Sequence, residues 1–160
     1  MRIGVVSDTH DNLPNVRRIV ELFNDADVER VVHTGDITKP KTLDLLAGLD
    51  VPLVGVFGNN DEREALSETA DSLGIGLSEP PLELKWASRN LVVVHDPLEL
   101  EGVDRTAYDV ILYGHIHRKV IDYADGQLTF NPGECAGMMP GHNSIGVLDL
   151  VTLEAEIIKF

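Results

Sequence analysis

Apolar positions in the first half of the chain follow two alternating rhythms. Arg2–Ser7 (RIGVVS) is a short, β-branched, mostly apolar run, the pattern of a buried strand. Residues Leu13–Phe23 come next, with Val16, Ile19, Val20 and Phe23 at i, i+3, i+4 and i+7. These form one helical face, and Pro14 sits in the first turn, where its missing N–H costs nothing. The rhythm repeats with a strand over Glu29–His33 and a helix over Pro40–Leu49. It repeats again with a strand over Val51–Phe57 and a helix over Glu62–Leu73 closed by Gly74. Three strand–helix repeats with short links predict a parallel sheet with helices packed on it.

The second half changes to short alternating strands. Leu82–Trp86 and Asn90–His95 read as a hairpin across Ala87-Ser88-Arg89, and Asp109–Tyr113 as a further strand. Val120–Tyr123 and Gln127–Phe130 flank Ala124-Asp125-Gly126, where Asp-Gly signals a tight hairpin. Ser144–Leu150 and Glu154–Lys159 close the chain. This half is expected to be rich in antiparallel neighbours. With no repeat or linker, residues 1–160 read as a single domain of two packed mixed β-sheets flanked by helices.

Composition narrows the function. The chain has 160 residues and a formal net charge of -14. It lacks the clustered Lys and Arg that displace counterions from duplex nucleic acid, so no such partner is expected. No apolar run approaches the roughly 18 residues of a membrane span, and the N-terminus does not read as a secretion signal. The single Cys135 excludes an internal disulfide framework and fits a reducing cytoplasm. The acidity raises a difficulty for any phosphate chemistry, because such a chain repels anions.

Chemistry gathers just beyond the expected strands. Asp8 and His10 follow the first strand, Gly35-Asp36 the second and Gly58-Asn59-Asn60-Asp61 the third. His95 ends the strand Leu91–Val94, and Gly114-His115-Ile116-His117 follows Asp109–Tyr113. In α/β sheets ligands bind beyond the carboxyl ends of strands, where loops converge. Taken singly these are weak signals. A D-x-H triplet arises by chance roughly half a time per chain of this composition. His115-x-His117 is rarer, and both imidazoles point the same way if that backbone is extended. A bland account of all five clusters needs five independent accidents at strand ends.

In order and spacing these motifs, with Asn131-Pro132-Gly133, resemble the calcineurin-like metallophosphoesterases, most of all their small prokaryotic phosphodiesterase branch. The resemblance runs from residue 3 to about 146. It implies an α/β/β/α sandwich and a two-metal site. One ion takes Asp8, His10 and His117; the other takes Asn59, His95 and His115; Asp36 bridges both. Oxygen and nitrogen donors without thiolate suit Mn²⁺ first, with Ni²⁺, Fe or Zn²⁺ as other ions this set accepts. The implied activity is hydrolysis of small or activated phosphoesters by a hydroxide bridging the metals. Two cations against Asp8 and Asp36 leave the site about +2, which answers the charge difficulty locally. The same fold also resembles a eukaryotic vesicle-coat subunit, so a non-catalytic scaffold is one alternative. A nuclease is the other.

Two departures from the family pattern stand out. Asn60 lies where many members carry a histidine. An amide contacts phosphate by hydrogen bonding but cannot act as a general acid. Asp96 replaces a common glycine after His95 and reads as solvated, with orientation of a neighbouring imidazole as the other reading. Glu134 is expected to tighten its loop, His33 to be a hydrogen-bonded buried histidine, and Met138-Met139 to pack within theirs. Leu82, Leu84 and Trp86 are expected in the core; if exposed, they would serve a homo-oligomer contact.

Overall fold

A computed structural model describes all residues from Met1 to Phe160. The first half follows the expected order: β1 (Arg2–Val6), α1 (Leu13–Asp25), β2 (Arg30–His33), α2 (Pro40–Leu46), β3 (Leu53–Val56) and α3 (Arg63–Leu73). A short β4 (Gly76–Ser78) follows, which the sequence reading missed because three residues carry no period. The second half contributes β5 (Leu82–Trp86), β6 (Arg89–Val93), β7 (Val110–Leu112), β8 (Lys119–Ala124), β9 (Gln127–Pro132), β10 (Ser144–Asp149) and β11 (Ala155–Lys159). Two 3-10 turns, Pro97–Leu100 and Arg105–Ala107, lie between β6 and β7.

The strands form two mixed sheets, β11-β10-β1-β2-β3-β4 and β5-β6-β7-β9-β8. In the first, β1 through β4 are parallel and β10 joins β1 antiparallel. In the second, β6–β7 and β7–β9 are parallel. The expected hairpins β5–β6, β8–β9 and β10–β11 are antiparallel, while β7 is parallel to both its neighbours, a direction the sequence reading did not assign. The polar segment between β6 and β7, which carries the two 3-10 turns, is a crossover long enough to return the chain to the same end of the sheet.

Three apolar layers hold the sandwich. Helix residues Val16, Ile19, Phe23, Leu43, Leu46 and Leu66 pack on Val6 and Val31 of the first sheet. Ile3, Val5, Val32 and Val56 meet Leu91, Val93, Leu112, Leu128 and Phe130 between the sheets. Leu100 covers Val92, Val94, Ile111 and Tyr113 on the outer face of the second sheet. Leu82, Leu84 and Trp86 pack against the inter-sheet core, and the Arg30 guanidinium lies 5.3 Å from the Trp86 ring centroid. Trp86 therefore follows the core expectation. The β5–β6 connection is a two-residue turn with Ala87 and Ser88 both at positive φ, one residue tighter than expected.

Parallel strands β1, β2 and β3 of one sheet and β6, β7 and β9 of the other end on the same side of the sandwich. Their following loops face one another there.

Candidate metal centre

Backbone conformation sets the first layer of the site. Asp8, His10, Asp36, His115 and His117 all have φ between 44° and 65°. This left-handed region is unfavourable for residues with a Cβ, and such residues gather at functional sites when the surrounding fold enforces them. His115-x-His117 is thus not extended, so the condition under which both imidazoles would point the same way is not met. Two motif glycines are required by close approach. A Cβ on Gly58 would collide with the Asp36 carboxylate, and one on Gly114 with the Ser7 hydroxyl and Asp8.

The side chains converge in two groups joined by one oxygen. In the first group Asp8 Oδ1 lies 3.2 Å from His117 Nε2 and 3.9 Å from His10 Nε2. In the second, Asn59 Oδ1 lies 3.0 Å from His95 Nε2 and 3.1 Å from His115 Nδ1. The two imidazole nitrogens are 3.3 Å apart. Asp36 Oδ2 stands between the groups, 3.3 Å from His10 Nε2 and 3.4 Å from His95 Nε2. The structure thus brings together all seven residues that the sequence nominated.

Hydrogen bonds aim these donors. The Ser7 hydroxyl and the His115 N–H both donate to Asp8 Oδ2. Asp8 Oδ1, by contrast, is buried without a partner, as is His10 Nε2. The Thr34 carbonyl takes the Nδ1 proton of His95 at 2.9 Å, which turns Nε2 toward Asp36 and Asn59. Fully buried His33 accepts the Gly35 N–H at Nδ1, so its Nε2–H donates to the Thr9 hydroxyl. That hydroxyl donates in turn to the Asp36 carbonyl, tying the first two strand-end loops together. Burial holds the His33 imidazole down at about 3, so it is neutral.

Asp61 was in the motif but had no role assigned from sequence. Its carboxylate accepts the Gly58 N–H at 2.7 Å and the Thr38 N–H at 2.5 Å, clamping the third loop to the second. The Asn131 amide donates to the Gly114 carbonyl and its own oxygen accepts the Gly133 N–H, so Asn-Pro-Gly supports the His115–His117 loop. These roles need neighbours from distant strands, which no local spacing announces.

The departures resolve as follows. The Asn60 side chain donates to Asp36 Oδ2 at 2.8 Å and its backbone N–H to Oδ1 at 2.9 Å. Asp96 is not simply solvated: Oδ1 accepts the Leu98 N–H while Oδ2 lies 3.4 Å from His115 Nε2. Buried Glu134 accepts the Gly137 N–H and tightens its loop. Met138 and Met139 are exposed, contrary to the expectation of loop packing. Cys135 is buried, and burial pushes its thiol up, away from reactivity.

Electrostatics match a cation site. Asp8 and Asp36 are buried at 0% and 1% exposure. Burial raises the Asp8 carboxyl. Burial also opposes ionisation of Asp36, but hydrogen bonds from His95 and Asn60 prevail and hold it well below the usual range. Burial would lower His95, yet its contact with Asp36 prevails and lifts it to about 9. Two buried carboxylates with imidazoles around them leave negative charge and lone pairs aimed inward. Asp8–His10–His117 and Asp8–Asp36–His95 each place their ligand atoms within 4.8 Å of one another.

A two-sheet sandwich with carboxylate and imidazole donors gathered at the strand ends is the arrangement of a candidate metal centre. Residues 1–153 match the calcineurin-like phosphoesterase superfamily domain, and the chain belongs to that superfamily of phosphoester hydrolases. The phosphodiesterase MJ0936 of Methanocaldococcus jannaschii is 36% identical over 155 residues, covering 93% of each chain. A solved archaeal phosphodiesterase superposes with a TM-score of 0.91 at 33% identity over the full length of both. Vps29 from Entamoeba histolytica, solved with Zn²⁺, shares the fold at a TM-score of 0.70 and 19% identity, covering 100% of this chain and 98% of its own.

Proposed function

We propose that the protein is a divalent-metal-dependent phosphodiesterase acting in the cytoplasm on small or activated phosphoesters. One observation carries the reading. Donor atoms with metal bonds of about 2.0–2.2 Å sit about 2.8–3.1 Å apart around an octahedral ion and about 3.3–3.6 Å apart around a tetrahedral one. Asn59 Oδ1, His95 Nε2 and His115 Nδ1 are separated by 3.0, 3.1 and 3.3 Å, and Asp36 Oδ2 lies 3.4 Å from His95 Nε2. The partnerless Asp8 Oδ1 and His10 Nε2 beside His117 fit a second ion. Asp8, His10 and His117 would hold one cation and Asn59, His95 and His115 the other, with Asp36 shared. Mn²⁺ is the first choice for this donor set.

When bound, the cations supply Lewis acidity and the positive charge that a phosphodiester anion needs. The rest falls to the chain. Asp8 and Asp36 offset part of that charge and leave the site net positive, while the acidic surround repels long polyanions and so disfavours nuclease activity. Asn60 steadies Asp36 by two hydrogen bonds, and its amide N–H atoms suit a phosphate oxygen. The position holds no group that protonates a leaving oxygen. Esters with weakly basic leaving groups, such as aryl diesters, are therefore preferred over alkyl monoesters.

Hydrolysis of bis-p-nitrophenyl phosphate with Mn²⁺, with and without chelator, tests the reading. Metal-dependent turnover is expected. Absence of turnover together with no bound metal by elemental analysis would overturn it and favour the scaffold alternative, which the complete donor set argues against.

A further inference from the structure

The crossover after β6 begins with a residue that does two things. Asp96 starts the Pro97–Leu100 turn, where Oδ1 accepts the Leu98 N–H at 2.9 Å. The Glu99 carboxylate reaches back to the N–H of His95 at 2.9 Å and of Asp96 at 3.1 Å, completing a capping box. Pro97 further limits the backbone at Asp96. The carboxylate is therefore fixed by its cap, its backbone N–H and the following proline. Its second oxygen, Oδ2, points away from the turn to His115 Nε2 at 3.4 Å.

His115 needs such a partner more than the other imidazoles do. It is the most exposed of the four, with 40% of its side chain accessible against 1% for His95. The buried carbonyl of Thr34 already orients His95. His115 has no backbone carbonyl on its outer nitrogen, and its Nδ1 is the atom facing Asn59 and His95. A carboxylate at Nε2 favours the tautomer with the proton there, which leaves the Nδ1 lone pair facing inward.

We propose that Asp96 is a positioning residue for the second cation, acting through His115. The inference rests on the metal reading above and goes beyond it, because it assigns a role to a residue outside the seven donors, one whose carboxylate faces the Leu98 N–H and His115. It explains why an acidic residue is tolerated beside the site: its charge faces an imidazole edge rather than the open mouth.

Calorimetric titration of the metal-free full chain with Mn²⁺ tests this, using four proteins. Asp96→Asn and Asp96→Ser both keep an oxygen for the Leu98 N–H, since Asn and Ser are good helix-cap residues. Neither keeps a carboxylate for His115. Glu99→Gln removes a neighbouring negative charge, keeps an oxygen for the capping box and leaves the His115 contact alone. The wild type should show two binding events. Both Asp96 variants should weaken the second event about 10- to 100-fold and leave the first within about threefold. Glu99→Gln should leave both within about threefold. Unchanged second-event affinity in both Asp96 variants would overturn the proposal. So would equal weakening by Glu99→Gln, because the effect would then come from the loss of acidic charge near the site rather than from the His115 contact. A wild type with fewer than two events would instead overturn the two-metal reading itself, and the inference with it.

Discussion

The two halves of the site differ in how they satisfy themselves. Asp8, His10 and His117 form a buried corner with two polar atoms left unpaired, Asp8 Oδ1 and His10 Nε2. Asn59, His95 and His115 form a more open corner in which the Asn59 oxygen sits between both imidazoles and His95 holds Asp36. An unpaired buried polar atom costs roughly 1–3 kcal/mol, which a cation there removes. In the second corner a cation must displace existing contacts and a proton. The first corner is preorganised for metal, and the second is preorganised to survive without it. The first cation should therefore bind more tightly than the second.

The largest expected effect comes from the oxygen common to both corners. Asp36→Ala should abolish the second Mn²⁺ event and lower turnover about 10³-fold or more, since the Lewis-acid contribution is several kcal/mol. Next, single substitutions should separate the corners. His10→Ala should weaken the first event and Asn59→Ala the second, each about 10-fold or more; equal loss of both events from either would merge the corners into one unit.

A pH titration sharpens the contrast. In the metal-free chain His95 is raised to about 9, so a cation must release its proton. Second-event affinity should climb about tenfold per pH unit from 7 to 8, with a proton released by calorimetry in buffers of different ionisation enthalpy. Without metal the sign is opposite. A raised histidine stabilises the fold fully below its unfolded value of about 6.5, and that contribution disappears as pH rises through about 9. Metal should therefore stabilise the chain more at pH 9 than at pH 6.5, measured as the melting-temperature difference with and without Mn²⁺.

Smaller effects lie at the margins. Thr38 has φ of 80°, a strained value for a β-branched residue. Thr38→Gly should raise stability by about 1 kcal/mol in chemical denaturation, with the N–H to Asp61 retained. The weakest expectation concerns the -14 net charge, carried with 12 Glu and only 5 Lys. If self-repulsion is a real cost, the melting temperature should rise a few degrees between low and molar KCl.

Much of the site was legible because its signals are local. Asp8-x-His10, Gly58-Asn59-Asn60-Asp61 and Gly114-His115-Ile116-His117 each fall within one loop, and apolar period placed every such loop after a strand. The supports were legible only as types, a buried histidine at His33 and a loop-tightening Glu134, and not by their partners. His33, Thr34 and Asp61 act on residues from other strands, and Asp96 meets His115 across 19 positions of chain. The parallel direction of β6, β7 and β9 was equally hidden, because three- to six-residue strands show burial but not which neighbour they pair with.

The sequence by itself determined the sandwich class, the seven donor residues and their order, since hydrophobic period and motif spacing are properties of neighbours along the chain. The family resemblance already implied which imidazole joins which corner; tertiary structure alone decided through which nitrogen. That choice depends on left-handed backbone at Asp8, His10, Asp36, His115 and His117, which only the surrounding packing enforces. It also decided the place of Asp96. From sequence, Asp96 is either a solvated charge or a carboxylate that orients some neighbouring imidazole; in the fold its second oxygen faces the far edge of His115. The physical reason is the same in each case. Spacing along the chain limits which residues can gather, whereas direction in space is set by contacts between segments distant in sequence.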